Sequence, residues 1–148
     1  MALTRKPSLH AGAVNTPVYR VSTVLFPDVE SMSDNSQPYT YGRRGTPTTR
    51  ALEDALCKLE GGARTVLTPS GLSACLLAIL TACDAGDHML VTDSVYGTTR
   101  ISCQRLAKRL GITTTFFPPT ITAANLKEQF RPETKAVFLE SPGSVTFE

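Results

Sequence analysis

Four short stretches of the chain hold residue types whose spacing could do chemistry. In "TPSGLSA", Ser70, Gly71 and Leu72 stand where a short apolar run gives way to a longer one with helical spacing. The first amides of a helix lack intrahelical acceptors and the helix dipole adds positive charge there, so such a seam can hold a phosphate. Glycine removes the Cβ that would keep an anion at a distance. Ser70 is equally suited to a plain N-cap, and the stretch alone leaves both readings open. In "YTYGRRGTPTTR", Tyr41 precedes Arg43 and Arg44, which are framed by Gly42 and Gly45. Two adjacent guanidinium forks can serve two different anions, or simply solvate a loop. In "TDSVYGTT", Tyr96 comes directly after a strand, at the end where ligands of open parallel sheets collect; its ring either stacks on a planar ligand or plugs the core. "FLESPGS" poses a similar choice, since Glu140 before Ser141-Pro142-Gly143 makes a tight turn or lines the same crevice.

The elements that must position these residues alternate in type. Residues 1–46 hold Pro7, Pro17, Pro27 and Pro38, a polar run "SMSDNSQ" and no helical period, and read as an extended arm. From Thr46 an N-cap with Pro47 behind it opens a helix. Leu52, Ala55, Leu56 and Leu59 form its apolar stripe and Gly61-Gly62 ends it. "TVLTP" is expected as a strand. Ser70 to Cys83 is expected as a helix, apolar over most of its circumference and therefore buried. "HMLVTD" reads as a strand, Thr98 to Leu110 as a helix with Cys103, Leu106, Ala107 and Leu110 on one face, "ITTTFF" as a strand, "TAANLKEQF" as a short helix and "KAVFLE" as a strand. Short apolar strands alternating with helices predict an α/β domain with a mostly parallel sheet and helices on both faces. The reading is thus a 1–46 arm followed by a 47–148 α/β domain. The chain stops just past a strand with no closing helix, so that domain is expected to be the front part of something larger.

Composition narrows the function classes. Apolar residues make up 41% and charged residues 19%, which is globular rather than disordered. The formal charge is only +2 and the basic residues are scattered, so nucleic acid is not an expected partner. The N-terminal residues have no apolar core of a signal peptide, and the longest apolar run, Cys75 to Leu80, is too short for a bilayer. Cys57, Cys75, Cys83 and Cys103 show no Cys-x-x-Cys pair and only His10 and His88 accompany them, so no metal site is expected. Cys75 and Cys83 fall within a helical pattern and read as buried free thiols of a cytoplasmic protein.

Taken together, "YGRRGTPT", "LEGG", "PSGLSA", "GDHMLVTDSVYG" and "VFLESPGS" resemble, in order and spacing, the Cys/Met-metabolism family of pyridoxal-phosphate (PLP) enzymes. The resemblance runs from about residue 10 onward. It implies the large domain of PLP fold type I, the aspartate-aminotransferase-like fold. Within the family "ESPGS" looks most like the β-lyase branch, since the γ-synthases and γ-lyases usually show Asn where this chain has Ser144. The resemblance also implies roles. Tyr41 and Arg43 match a pair that crosses to a neighbouring subunit and binds its cofactor phosphate. Gly71 and Leu72, with Ser70 beside them, match the amides that hold the phosphate in their own subunit. Tyr96 matches the tyrosine stacked on the pyridine ring and, with Tyr41, could tune the incoming amine. Arg44 is the candidate for the substrate's distal carboxylate. The implied activity is cleavage of L-cystathionine to homocysteine, pyruvate and ammonia, by a homotetramer built as a dimer of dimers.

The family also needs a lysine to carry the cofactor covalently and an aspartate for its pyridinium nitrogen. Lys6, Lys58, Lys108, Lys127 and Lys135 all stand in the wrong context. The 148 residues alone are therefore expected to be inactive. A truncated subunit that lends Tyr41 and Arg43 to a full-length lyase, a γ-acting member of the family and an unrelated nucleotide-binding α/β domain are the other readings. The last lacks both the Gly-x-Gly-x-x-Gly and the Gly-Lys-Ser/Thr phosphate loops.

Overall fold

The computed structural model describes residues 6–34 and 36–147, so Asn35 of the polar run "SMSDNSQ" lies outside the described residues. The chain separates into two compact units, Met1–Leu67 and Thr68–Glu148.

The second unit is built on three parallel strands. β1 (His88–Thr92) lies between β2 (Thr113–Phe117) and β3 (Thr134–Phe138), in the order β2-β1-β3. Every residue of β1 is buried, which is what a central strand with no polar alternation requires. Successive side chains point to opposite faces. On one face Met89 and Val91 pack with Phe116, Ala136 and Phe138 of the flanking strands. That face is covered by Ile79 of the helix Gly71–Ala82 (α3, the third in chain order), its C-cap Cys83, and Cys103 and Ala107 further on. The opposite face carries a polar lock. His88 is 1% exposed, with Nδ1 2.7 Å from the Thr134 hydroxyl and Nε2 2.9 Å from the Thr115 hydroxyl. Arg131 donates to both hydroxyl oxygens, from Nη2 to Thr115 at 3.0 Å and from its backbone N–H to Thr134 at 2.8 Å. One imidazole therefore ties all three strands.

Three expectations about this unit are corrected. No strand forms over 65–69, because no neighbour pairs with it among the described residues, and Val66 is 67% exposed. The helix expected over 98–110 is interrupted. α4 (Gly97–Ser102) passes into a π-helical turn, Cys103–Ala107, that brings Cys103 and Ala107 into the core and leaves Leu106 and Leu110 outside it. Finally, α3 is apolar all round but buries only Ile79 within its length; Leu77 and Leu80 are nearly half exposed, and Cys75 is half-buried. A short α5 (Ala123–Lys127), capped by Thr122, leads to β3.

In the first unit α2 (Pro47–Glu60) starts and stops where its caps dictate. Thr46 accepts from the Thr49 N–H while the Thr49 hydroxyl accepts from the Thr46 N–H, and Gly61 closes the helix at φ 67°. Thr48 ties α2 to the preceding segment: its hydroxyl accepts from the Tyr19 N–H at 2.8 Å and donates to the Pro17 carbonyl at 2.7 Å. That bridge is why α2 groups with the residues before it. Those residues also contain one helix that no periodicity announces, α1 (Val29–Asp34), started by Asp28, whose carboxylate accepts from both the N–H and the hydroxyl of Ser31.

Candidate functional site

At the start of α3, Ser70 is extended (φ −157°) and its Oγ accepts from the Ser73 N–H at 3.2 Å. The Thr68 hydroxyl steadies the turn by donating to the Ser70 carbonyl at 2.9 Å. The cap thus satisfies the amide of Ser73. It leaves those of Gly71 and Leu72, which precede the first intrahelical bond. A Cβ placed on Gly71 would meet nothing within 4 Å, so open space lies beside Gly71. The two readings of the sequence are compatible: Ser70 caps, and the next two N–H groups remain available to an anion. That cradle fits the phosphate end of PLP.

Connectivity decides which end of the sheet this is. α3 runs to Cys83, the chain turns, and β1 returns from His88, so the start of α3 lies toward the C-terminal end of β1. Tyr96 lies at that same end, as the N-cap of α4, with its ring half exposed. It is not a core plug. The loop that carries it is held from both sides. The Tyr96 N–H donates to Glu140 Oε2 at 3.1 Å, and the Ser144 N–H donates to the Ser94 carbonyl at 2.8 Å. From the β2 side, the Asp93 N–H donates to the Phe117 carbonyl at 2.7 Å. Arg100 pairs with Asp93 and stacks 4.1 Å from the Phe116 ring centroid. Sequence inspection passed over Arg100, because its partners lie across a strand–helix turn and on another strand, where no helical spacing links them. The lysines of this unit lie elsewhere. Lys108 follows the π-turn, Lys127 ends α5 and Lys135 is the second residue of β3, all toward the other end of the strands.

Tyr41, Arg43 and Arg44 belong to the first unit and form their own small structure. Tyr41 bridges Thr23 in antiparallel fashion, and the Gly42 N–H donates to the Ser22 carbonyl at 2.7 Å. Arg43 donates from Nε to the Tyr41 hydroxyl at 3.1 Å, with its guanidinium 5.1 Å from the ring centroid. Its terminal nitrogens remain available for an anion. Arg44 is exposed, and among the described residues it makes a backbone bond to the Tyr41 carbonyl. The structure therefore brings Ser70, Gly71, Leu72 and Tyr96 to one end of the sheet, and holds Tyr41, Arg43 and Arg44 together in the other unit.

Comparison with known proteins bears on both halves. The profile of the Cys/Met metabolism PLP-dependent enzyme family matches residues 2–148. A provisionally named cystathionine β-lyase of Rhizobium johnstonii is 50% identical over 142 residues, 96% of this chain and 36% of its own. Cystathionine β-lyase MetC of Escherichia coli K12 is 42% identical over 142 residues, covering 93% and 36%. The crystal structure of metB from Corynebacterium glutamicum superposes with a TM-score of 0.89 at 23% identity, over 99% of this chain and 38% of that one. That likeness fixes the fold as PLP fold type I, of which the three strands are a part. The chain spans about a third of the length of the curated relatives it matches. A profile match over nearly every residue, on a fold that sets the Ser70 seam and the exposed Tyr96 at one end of its sheet, makes the chain a member of the Cys/Met metabolism family of PLP-dependent enzymes.

Proposed function

We propose that these residues are the N-terminal portion of a cytoplasmic PLP-dependent carbon–sulfur β-lyase that converts L-cystathionine to homocysteine, pyruvate and ammonia. The observation that carries the reading is the seam at Ser70: a capped helix whose next two amides, Gly71 and Leu72, precede the first intrahelical bond, with open space beside Gly71. These amides hold the phosphate dianion. Tyr96, at the end of the same sheet, would stack on the pyridine ring. When bound, PLP supplies the electron sink that makes loss of the Cα proton and of the thiolate feasible. Tyr41 and Arg43 add a phenol and a guanidinium to the phosphate of a second copy. Tyr41 and Tyr96 help set the proton on the substrate amine, and Arg44 takes the substrate's distal carboxylate. The working form is a homotetramer arranged as a dimer of dimers. Ser144, in place of the Asn usual in the γ-acting branch, favours β-cleavage over γ-cleavage.

On this reading the 148 residues alone turn nothing over: Lys108, Lys127 and Lys135 lie away from the end of the sheet that carries Tyr96, and Lys6 and Lys58 stand in sequence contexts unlike the family's. The test is a product assay with L-cystathionine. A full-length form should release pyruvate and homocysteine in equal amounts, while the 148-residue chain with added PLP releases neither. Cysteine and a 2-oxobutyrate product would move the reading to the γ-lyases. Borohydride reduction that labels one lysine of the short chain, with turnover, would overturn the claim that it is inactive.

A further inference from the structure

From the strap across the ends of β1 and β3 we infer that Glu140 is the positioning residue for Tyr96. The inference rests on the proposed stacking of Tyr96 against the cofactor ring. Tyr96 caps α4 without the means to do so, since its side chain makes no capping bond and a phenol on an exposed ring cannot reach back to the first turn. Its backbone is fixed instead from 44 residues away, by the 3.1 Å bond from its N–H to Glu140 Oε2. Glu140 follows β3 by two residues, so its carboxylate moves with the sheet. The bond from Ser144 N–H to the Ser94 carbonyl is a second strap between the same two loops. With the backbone origin held, the two side-chain torsions of Tyr96 are the only freedom its ring retains. Glu140 touches no reacting atom in this scheme; it sets where the ring stands.

The length of the side chain, more than its charge, carries this role, and three variants of the full-length holoenzyme separate the two. Glu140→Gln keeps an acceptor oxygen at the same reach. Glu140→Asp keeps the charge but falls one methylene short, and Glu140→Ala removes both. Two readouts are followed: hydrogen exchange of the Tyr96 amide, which does not depend on the cofactor, and the visible circular dichroism and affinity of bound PLP, with Tyr96→Ala as reference. Glu140→Asp and Glu140→Ala should speed Tyr96 exchange about tenfold, the worth of one such bond. They should also reduce the dichroic band toward that of Tyr96→Ala and weaken PLP by a similar factor, while Glu140→Gln stays near the parent. Unchanged Tyr96 exchange in Glu140→Asp and Glu140→Ala would overturn the strap. Faster exchange with an unaltered dichroic band would overturn the positioning role. A parent-like band in Tyr96→Ala would instead bring down the stacking on which the role depends.

Discussion

Gly42 is where the first unit tolerates a side chain least. Its N–H donates to the Ser22 carbonyl, and a Cβ would collide with the Val21 carbonyl oxygen and stand 2.7 Å from its carbon, both backbone atoms that cannot swing aside. Gly71 is the opposite case, since a Cβ there meets open space and alanine is the better helix former. Gly42→Ala should therefore cost about 1–3 kcal/mol, the range for forcing extra volume into a packed site. Gly71→Ala should leave stability level or slightly higher and act only on anion binding. Urea unfolding of the two variants side by side, with PLP affinity on the same samples, checks the contrast; equal stability losses would show that Gly42 is not clamped. At this scale the sequence was legible in part. The glycines around Arg43 and Arg44 announced a turn, but the close approach of residues 21 and 22 to Gly42 depends on pairing across nineteen positions that no local pattern encodes.

At the scale of elements, the caps and the continuous apolar strand were readable because their causes are local. Thr46 with Pro47, Ser70, Gly61 and the run from His88 to Thr92 each carry their own stereochemical reason. The failures have non-local causes. "TVLTP" has strand-like residues but pairs with no neighbour among the described residues, and the π-turn at Cys103–Ala107 turns Cys103 and Ala107 into the core. The Asp28 cap went unread because it lies inside a stretch dominated by prolines and polar residues. The lock around His88 yields a prediction of its own. Burial, then the nearby Arg131 guanidinium, pushes the imidazole below its ordinary value, against a weaker opposite pull from Glu133. Both hydroxyl oxygens already accept from Arg131, so neutral His88 satisfies them with one donated and one accepted bond, and a second ring proton would displace a hydroxyl hydrogen. Above the ordinary imidazole range both folded and unfolded states are neutral, and the full stability is present. As pH falls through that range the unfolded chain takes up a proton first, so stability drops until His88 itself titrates. The urea midpoint should decline between about pH 7 and pH 5, and His88→Gln should remove much of that slope at the expense of stability at neutral pH. A parent slope that survives in the variant would place the effect elsewhere.

At the scale of the whole molecule, the proposed phosphate ligands divide between two units: a cradle at Ser70–Leu72 and a tyrosine–arginine pair at 41–43. The order of motifs along the sequence carried the family and, through the resemblance, the expectation that Tyr41 and Arg43 serve a neighbour's cofactor; the residues alone do not decide it, because that is a property of an assembly. The division makes it testable by complementation. Arg43→Ala spoils the lent pair and leaves the cradle intact. Leu72→Pro spoils the cradle by deleting an amide and leaves the pair intact, the first turn being the part of a helix that tolerates proline. Each full-length variant alone should be close to inactive. If the pair serves a neighbour, a mixed dimer joins one intact pair to one intact cradle and regains one site of two. Random pairing makes half of all dimers mixed, so about a quarter of parent activity should return on dissociation and remixing. If each chain used its own pair, every site would hold one defect and nothing would return. A return near zero from variants that still bind each other would therefore confine Tyr41 and Arg43 to their own subunit.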